Sequence, residues 1–281
     1  MHAIGFHTSI AQGLHLAPAR ARALGADAMG MFTKNQRQWK TKDLEKDEIA
    51  RFTSALAGAD MEPGHVLVHD SYLINLSHPD ATKRRQSIEA FLVEIQRVDA
   101  LGLHLLNFHP GSHLGLLNEQ EALTLVADSL DEALSRSERV TAVIENTAGQ
   151  GSNLGSSFES LASLYEKIRH KDRIGFCLDT CHCHAAGYDL SSVERFEQVI
   201  ARFDQLIGLS LLSGMHLNDA KYPMGSRLDR HASLGAGTIG WETFEHICGD
   251  ERFSGIPLIL ETPDPTLWKE EINRLRKGGQ R

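Results

Sequence analysis

The sequence predicts a single-domain α/β protein, a (β/α)8 barrel of parallel strands ringed by helices. Three observations carry that expectation. Short β-rich runs alternate with longer helical runs along the whole chain. The 281 residues match one large barrel domain of about 250 residues, or two small domains. No Gly-rich phosphate loop of the G-x-G-x-x-G or G-x-x-x-x-G-K-[S/T] type follows any strand, which disfavours the alternative, an open doubly wound sheet. No linker rich in Pro, Gly or Ser divides the chain, so residues 1–281 read as one domain.

Taken in order, the strand-like segments are Ala3–His7, Ala28–Phe32, His65–His69, Leu103–His109, Ala142–Glu145, Ile174–Asp179, Gly214–Leu217 and Pro257–Glu261. Most are continuous apolar runs, as strands buried on both faces require. Helical periodicity covers Leu44–Leu56, Lys83–Leu101, Asn118–Leu134, Phe158–Ile168, Ser192–Ile207 and Trp241–Ile247. Gly25 and Gly102 each follow a Leu at the end of an apolar pattern, where a helix stop is expected.

Composition narrows the class. Hydrophobic residues make up 41% and charged residues 23%, enough for a core and too apolar for a largely disordered chain. No apolar run approaches the roughly 20 residues of a membrane span. Met1-His2-Ala3-Ile4-Gly5 lacks the basic-then-apolar pattern of an export signal, so a soluble cytoplasmic protein is expected. A formal net charge of -8 argues, alone, against broad attraction to nucleic acid or an anionic membrane. Cys177, Cys181, Cys183 and Cys248 have no disulfide-framework spacing and read as packing residues, although Cys181-His182-Cys183-His184 has the composition of a metal-binding tract. The chain also holds 15 histidines, an excess that either composition drift or a metal site could produce.

Positions decide between those two. The predicted strands end on His7, on Phe32 before Thr33, and on His69, His109, Glu145, Asp179 and Glu261, with His216 inside the seventh. An apolar strand that ends on an ionisable group bears a desolvation cost unless the group is paired or metal-bound. Any one of these residues is explained as well by a hydrogen-bonded loop position. Positions 69, 109, 145, 179, 216 and 261 are different, because each interval is one β/α unit and a barrel opens all its strand C-termini onto one face. Imidazoles and carboxylates converging without thiolates match zinc or, with more carboxylate character, manganese. His182, Asp229 and His231 lie in predicted loops on the same face; if the segment is extended, 229 and 231 point the same way. Nine candidate ligands are too many for one ion and suit three.

These residues resemble the endonuclease IV family of zinc-dependent apurinic/apyrimidinic endonucleases. The resemblance rests on Phe32-Thr33-Lys34-Asn35-Gln36-Arg37-Gln38-Trp39, His69-Asp70-Ser71-Tyr72-Leu73-Ile74-Asn75-Leu76, Asn107-Phe108-His109-Pro110-Gly111-Ser112 and Ile144-Glu145-Asn146-Thr147-Ala148-Gly149-Gln150-Gly151-Ser152-Asn153-Leu154-Gly155. It continues through Asp179-Thr180-Cys181-His182, Gly214-Met215-His216-Leu217-Asn218-Asp219-Ala220-Lys221, Asp229-Arg230-His231 and Leu258-Ile259-Leu260-Glu261-Thr262. It implies a TIM barrel with a three-zinc cluster at its mouth, one site of which could take manganese. His69, His109 and Glu145 would hold the first ion. Glu145 would bridge to a second, held by Asp179, His216 and Glu261, and His182, Asp229 and His231 would hold the third. Cys183-His184 departs from the family pattern, and His184 is expected to be an exposed or hydrogen-bonding loop residue rather than a competing ligand.

The implied activity is hydrolysis of duplex DNA 5′ to an abasic site, leaving 3′-hydroxyl and 5′-deoxyribose phosphate ends, with removal of 3′-blocking groups. Glu145 and Glu261 are the catalytic candidates, Glu261 by orienting the attacking water. Asn35, Arg37, Gln38, Tyr72 and Leu73 are the candidates for entering the duplex, and a monomer suits a protein that must wrap it. Lys34, Lys221, Arg227 and Arg230 are weaker candidates for phosphate contacts. Two rivals stand beside this reading. A sugar isomerase or epimerase on a related barrel would need Glu145, Asp179, His216 and Glu261 but not the other five ligands. A catalytically silent DNA-binding module would have no reason to retain nine buried or converging ligand groups.

Overall fold

A computed structural model describes residues 2–279. Eight parallel strands close into a barrel: β1 (Ala3–His7), β2 (Ala28–Met31), β3 (Val66–His69), β4 (Leu105–Phe108), β5 (Thr141–Glu145), β6 (Ile174–Asp179), β7 (Leu212–His216) and, after a two-stranded hairpin, β10 (Pro257–Leu260). Each pairs with its neighbours in chain order, and β10 closes on β1 with Ala3 opposite Pro257. The hairpin is β8 (Asp219–Ala220) against β9 (His231–Ala232), antiparallel, with Ala220 opposite His231. Helices α1 (Ala17–Ala23), α2 (Lys46–Gly58), α3 (Ala81–Ala100), α4 (Glu119–Leu134), α5 (Phe158–Lys167), α6 (Thr180–Ala186), α7 (Val193–Leu206), α8 (Trp241–Ile247) and α9 (Trp268–Gly278) complete the units.

Helix starts follow capping chemistry. Asp80 accepts from the N–H groups of Thr82 and Lys83, and Asn118 forms a reciprocal capping box with Glu121. Gly25 and Gly102 adopt φ of 84° and 72°, the left-handed conformation that ends a helix at little cost. Three helices and the hairpin lie outside the predicted elements. Helices α1 and α6 have seven residues each, too short for periodicity to register. In α9 charged residues outnumber the buried Ile272 and Leu275, which face the barrel.

Two apolar layers build the core. The larger lies between strands and helices and includes Phe52, Phe91, Phe108, Phe158, Phe176, Phe203 and Phe244. The smaller, Ala3, Ala28, Leu67, Val143, Cys177 and Ile259, takes residues from six barrel strands and plugs the interior. Small residues make room for it. Gly214 on β7 faces Leu67 on β3 across the barrel, and a Cβ at Gly214 would stand 3.1 Å from Leu67 Cδ2. All four cysteines are free and buried, in keeping with their reading as packing residues. No helix among the described residues is long and apolar enough to cross a membrane.

Candidate metal centre

Above the apolar plug, the strand ends bring the predicted side chains together. Glu145 at the end of β5 is 1% exposed and stands at the middle. Its Oε2 faces His69 Nε2 at 3.4 Å and His109 Nε2 at 3.3 Å. Its Oε1 faces His216 Nδ1 at 3.0 Å and His182 Nδ1 at 3.3 Å. Glu261, one residue past β10, faces His216 Nδ1 through Oε2 at 3.4 Å. Asp179 Oδ2 lies 3.9 Å from His216 Nδ1 and 3.7 Å from His231 Nε2. Asp229 Oδ1 lies 3.3 Å from His182 Nε2 and 3.2 Å from His231 Nε2, so 229 and 231 do point the same way. The nine residues form one connected set, and within it His69–His109–Glu145 and His182–Asp229–His231 each bring ligand atoms within 4.8 Å of one another.

Local structure explains two placements that sequence reasoning drew differently. His182 lies in α6 rather than a loop, because the Asp179 carboxylate caps that helix by accepting from the His182 N–H at 2.7 Å. Asp179 and His182 therefore face the site one helical turn apart. His184 is neither exposed nor in a loop: it is buried in the same helix, and its Nδ1 accepts from the Leu190 N–H at 3.4 Å. Burial holds its pKa below the ordinary value, so the ring is neutral there.

The donor chemistry supports a cation. His69 Nδ1 lies 3.0 Å from the Asp70 carbonyl, His182 Nδ1 2.9 Å from that of Asn146, and His231 Nδ1 3.2 Å from that of Glu261. A carbonyl only accepts, so each Nδ1 carries the proton and each Nε2 lone pair is aimed at carboxylate oxygens. Lone pairs in contact repel unless a proton or a metal ion lies between them. His231 Nε2 is fully buried without a hydrogen-bond partner, as a ligand atom would be. With protons alone, the carboxylates win: burial disfavours charge on His69, His182 and His231, yet Asp70, Glu145, Asp179 and Asp229 raise all three, His231 to about 9. Burial likewise opposes charge on Glu145 and Glu261, but neighbouring imidazoles, His216 first, hold both well below the carboxylate range. Divalent ions would take the place of those imidazolium protons, and the residues present fit them.

Four further residues hold the ligands and were not singled out by sequence reasoning. Asn107 donates to Glu145 Oε2, Asn218 Nδ2 to Asp179 Oδ2 at 2.6 Å, and Asn146 Oδ1 accepts from the Asp179 N–H at 2.7 Å. All three asparagines are at most 1% exposed. His7 Nδ1 lies 3.0 Å from Glu261 Oε1, leaving Oε2 turned to His216. The only sequence signal was His7 at a strand end and asparagines beside ligands.

The loops around this centre carry the apolar surface. Every large hydrophobic side chain exposed among the described residues, including Trp39, Tyr72, Leu114, Leu116 and Tyr222, lies on a loop following a barrel strand. Tyr72 is 64% exposed, with its ring edge against Phe32 and His69. Asn35, Arg37 and Gln38 are exposed on the loop after β2, and Leu73 is half-buried beside Tyr72. The Ser71 hydroxyl donates to the Gln36 carbonyl at 2.7 Å and ties these two loops together. Lys221, Arg227 and Arg230 are exposed on the loops after β7. Lys34 is not available as a phosphate contact: it is 6% exposed and ion-paired with Glu94 at 2.7 Å.

Known proteins share this architecture. A family model described as xylose isomerase-like TIM barrel matches residues 18–278. "Probable endonuclease 4" of Chlorobium phaeovibrioides is 52% identical over 275 residues, covering 98% of this chain and 99% of that protein. The protein of the same name from Campylobacter hominis is 51% identical over 276 residues, covering 98% of each. The crystal structure of endonuclease IV from Thermus thermophilus superposes with a TM-score of 0.86 at 31% identity, covering 99% of both chains. The chain belongs to the endonuclease IV family. A D-tagatose 3-epimerase-like protein, at 19% identity and a TM-score of 0.76, shares the fold alone with this endonuclease IV relative.

Proposed function

We propose that this chain is a DNA-repair endonuclease that hydrolyses the phosphodiester 5′ to an abasic site in duplex DNA. It leaves 3′-hydroxyl and 5′-deoxyribose phosphate ends and also removes 3′-blocking groups. The observation that carries the reading is the connected nine-residue donor set at the barrel mouth, in a chain that is 52% identical to a protein named "Probable endonuclease 4". Residues 1–281 act as one catalytic domain, as a monomer, in the cytoplasm.

His69, His109 and Glu145 would hold the first zinc ion; Glu145, Asp179, His216 and Glu261 the second; and His182, Asp229 and His231 the third, with manganese accepted at one site. When bound, such ions neutralise phosphate charge and lower the pKa of water to near neutrality. The two oxygens of Glu145 already face different imidazoles, His69 and His109 through Oε2 and His216 through Oε1, which suits a carboxylate shared by the first two sites. Glu261, with Oε1 hydrogen-bonded to His7 and Oε2 turned inward, would orient the attacking water as a proton acceptor. Asp229 is the more open carboxylate of the set, 42% exposed at its side chain, on the side from which substrate approaches.

Tyr72 and Leu73 would fill the stack vacated by the missing base, while Asn35, Arg37 and Gln38 contact the strands beside it. Extruding a nucleotide costs least where a base is already absent, which favours the lesion. The net charge of -8 does not exclude such a partner, because Glu145, Asp179, Asp229 and Glu261 would be neutralised by the ions they bind. The test is incubation of purified protein with an abasic oligonucleotide duplex, with product ends assigned and metal counted on the same sample. Nicking with three ions per chain is expected. One ion per chain and no nicking would favour the isomerase chemistry instead.

A further inference from the structure

Two charged side chains of α3 are sunk beneath the loop that follows β2. Glu94 is 1% exposed and Arg97 is 8% exposed. Glu94 Oε1 is 2.7 Å from Lys34 Nζ, and its Oε2 accepts from the Thr33 hydroxyl at 3.0 Å. Arg97, three residues on, donates to the Thr33 hydroxyl at 3.2 Å, to the Thr33 carbonyl at 2.6 Å and to the Lys42 carbonyl at 2.9 Å. Lys34 also reaches the Gln38 carbonyl at 3.4 Å. Both ends of the segment 35–41 are therefore anchored to one helix. Between the anchors the segment projects outward, closed by an Asn35 side-chain turn to the Arg37 N–H at 2.9 Å.

Stability alone is a weak reason for this arrangement, since an apolar pair of similar volume often replaces a buried ion pair at no loss. The arrangement does supply direction. An Arg fork and a two-oxygen carboxylate bind fixed backbone and side-chain positions, as apolar contacts do not. Among the described residues, neither Glu94 nor Arg97 makes a hydrogen bond or ion pair to any of the nine metal-centre residues. We propose that Glu94 and Arg97 are positioning residues for DNA recognition, holding Asn35, Arg37 and Gln38 in their duplex-contacting geometry before DNA arrives. The ordering cost of the loop is then met on folding rather than on binding. This rests on the reading of Asn35–Gln38 as a DNA contact.

Three variants test it by steady-state cleavage of an abasic duplex, binding to abasic and intact duplexes, metal content and thermal melting. Lys34→Met/Glu94→Leu removes both charges without stranding either, and Arg97→Lys keeps the charge but loses the fork. Arg37→Ala removes a contact residue itself. Each of the first two is expected to raise KM by about tenfold or more, with kcat within about twofold, metal content unchanged and selectivity for the abasic duplex reduced. Should the double variant not fold, Arg97→Lys carries the test alone. Wild-type KM and selectivity in a folded variant would overturn the proposal, as would a parallel loss of kcat and metal. If Arg37→Ala raises KM and the α3 variants do not, only the positioning role falls. If Arg37→Ala changes nothing, the DNA-contact reading of the loop falls first.

Discussion

Asp131 on α4 and Glu145 at the end of β5 are both buried carboxylates held below the ordinary carboxylate range, yet their surroundings differ in kind. Burial raises the pKa of Asp131, and hydrogen bonds from His170 and Arg169 more than reverse it. Its oxygens accept from the backbone N–H groups of Arg169 and His170, at 3.0 and 3.1 Å, and from the Arg169 side chain at 2.9 Å. The protein itself satisfies that charge. Glu145 has one amide donor, Asn107, and four imidazole nitrogens at 3.0 to 3.4 Å. Nδ1 of His69 lies within hydrogen-bond distance of a backbone carbonyl, which leaves the Nε2 that faces Glu145 as an acceptor. A carboxylate surrounded by backbone donors fastens a fold; one that meets an imidazole acceptor, as Glu145 meets His69 Nε2, needs a cation between them and prepares chemistry.

The comparison predicts opposite responses. Removing metal with a chelator should abolish cleavage of an abasic duplex, and adding zinc back should restore it; retained activity after the metal count reaches zero would erase the distinction. Glu145→Ala should lower kcat by about a thousandfold or more, equivalent to the several kcal/mol that metal-assisted charge stabilisation supplies. Binding of the abasic duplex should persist in a gel-shift measurement, and the metal count should fall.

Asp131→Asn should do the reverse, lowering stability by about 1–3 kcal/mol in denaturant melts while leaving kcat and metal content alone. Its pH dependence has a definite sign. Because the folded pKa of Asp131 lies below the unfolded value near 3.8, its contribution is present above that value and lost as pH falls through the folded pKa. The stability difference between wild type and variant should therefore shrink in acid; a difference that grows would contradict the assigned hydrogen bonds. The smallest expected effect is at the rim. Tyr72→Ala should reduce preference for abasic over intact duplex by about fivefold, roughly 1 kcal/mol of lost stacking, and unchanged preference would remove Tyr72 from the recognition surface.

Much of this was legible along the chain. Strand ends fall where apolar runs stop, so β1 and β6 match their predicted bounds and the other strands differ from theirs by at most two residues at either end. Spacing by one β/α unit is a one-dimensional pattern with a three-dimensional meaning, because a closed parallel barrel turns it into convergence. That is why His69, His109, Glu145, Asp179, His216 and Glu261 could be placed together from their numbers, and why the intervening helices did not obscure them. The long β4 and β5 loop motifs and the Asn35–Gln38 and Tyr72–Leu73 segments carry no such spacing signal and were recognisable only through the resemblance to the endonuclease IV family, as ordered strings of residue types.

Other features depended on contacts between residues far apart in sequence. Lys34 reads as a surface cation, but Glu94, sixty residues away, takes it into a buried pair. His7 becomes part of the site only because β10 closes beside β1 and brings Glu261 to it, and Asn218 because β7 lies between β6 and β10, within reach of both Asp179 and Glu261. The short helix α6 was missed for a local reason, since seven residues are too few for a period to register. Sequence determined which chemical groups gather at the mouth, since period and strand length set which positions face it. Tertiary structure decided which atom each group presents, because a tautomer or carboxylate orientation is set by the carbonyl or amide that happens to lie against its other side.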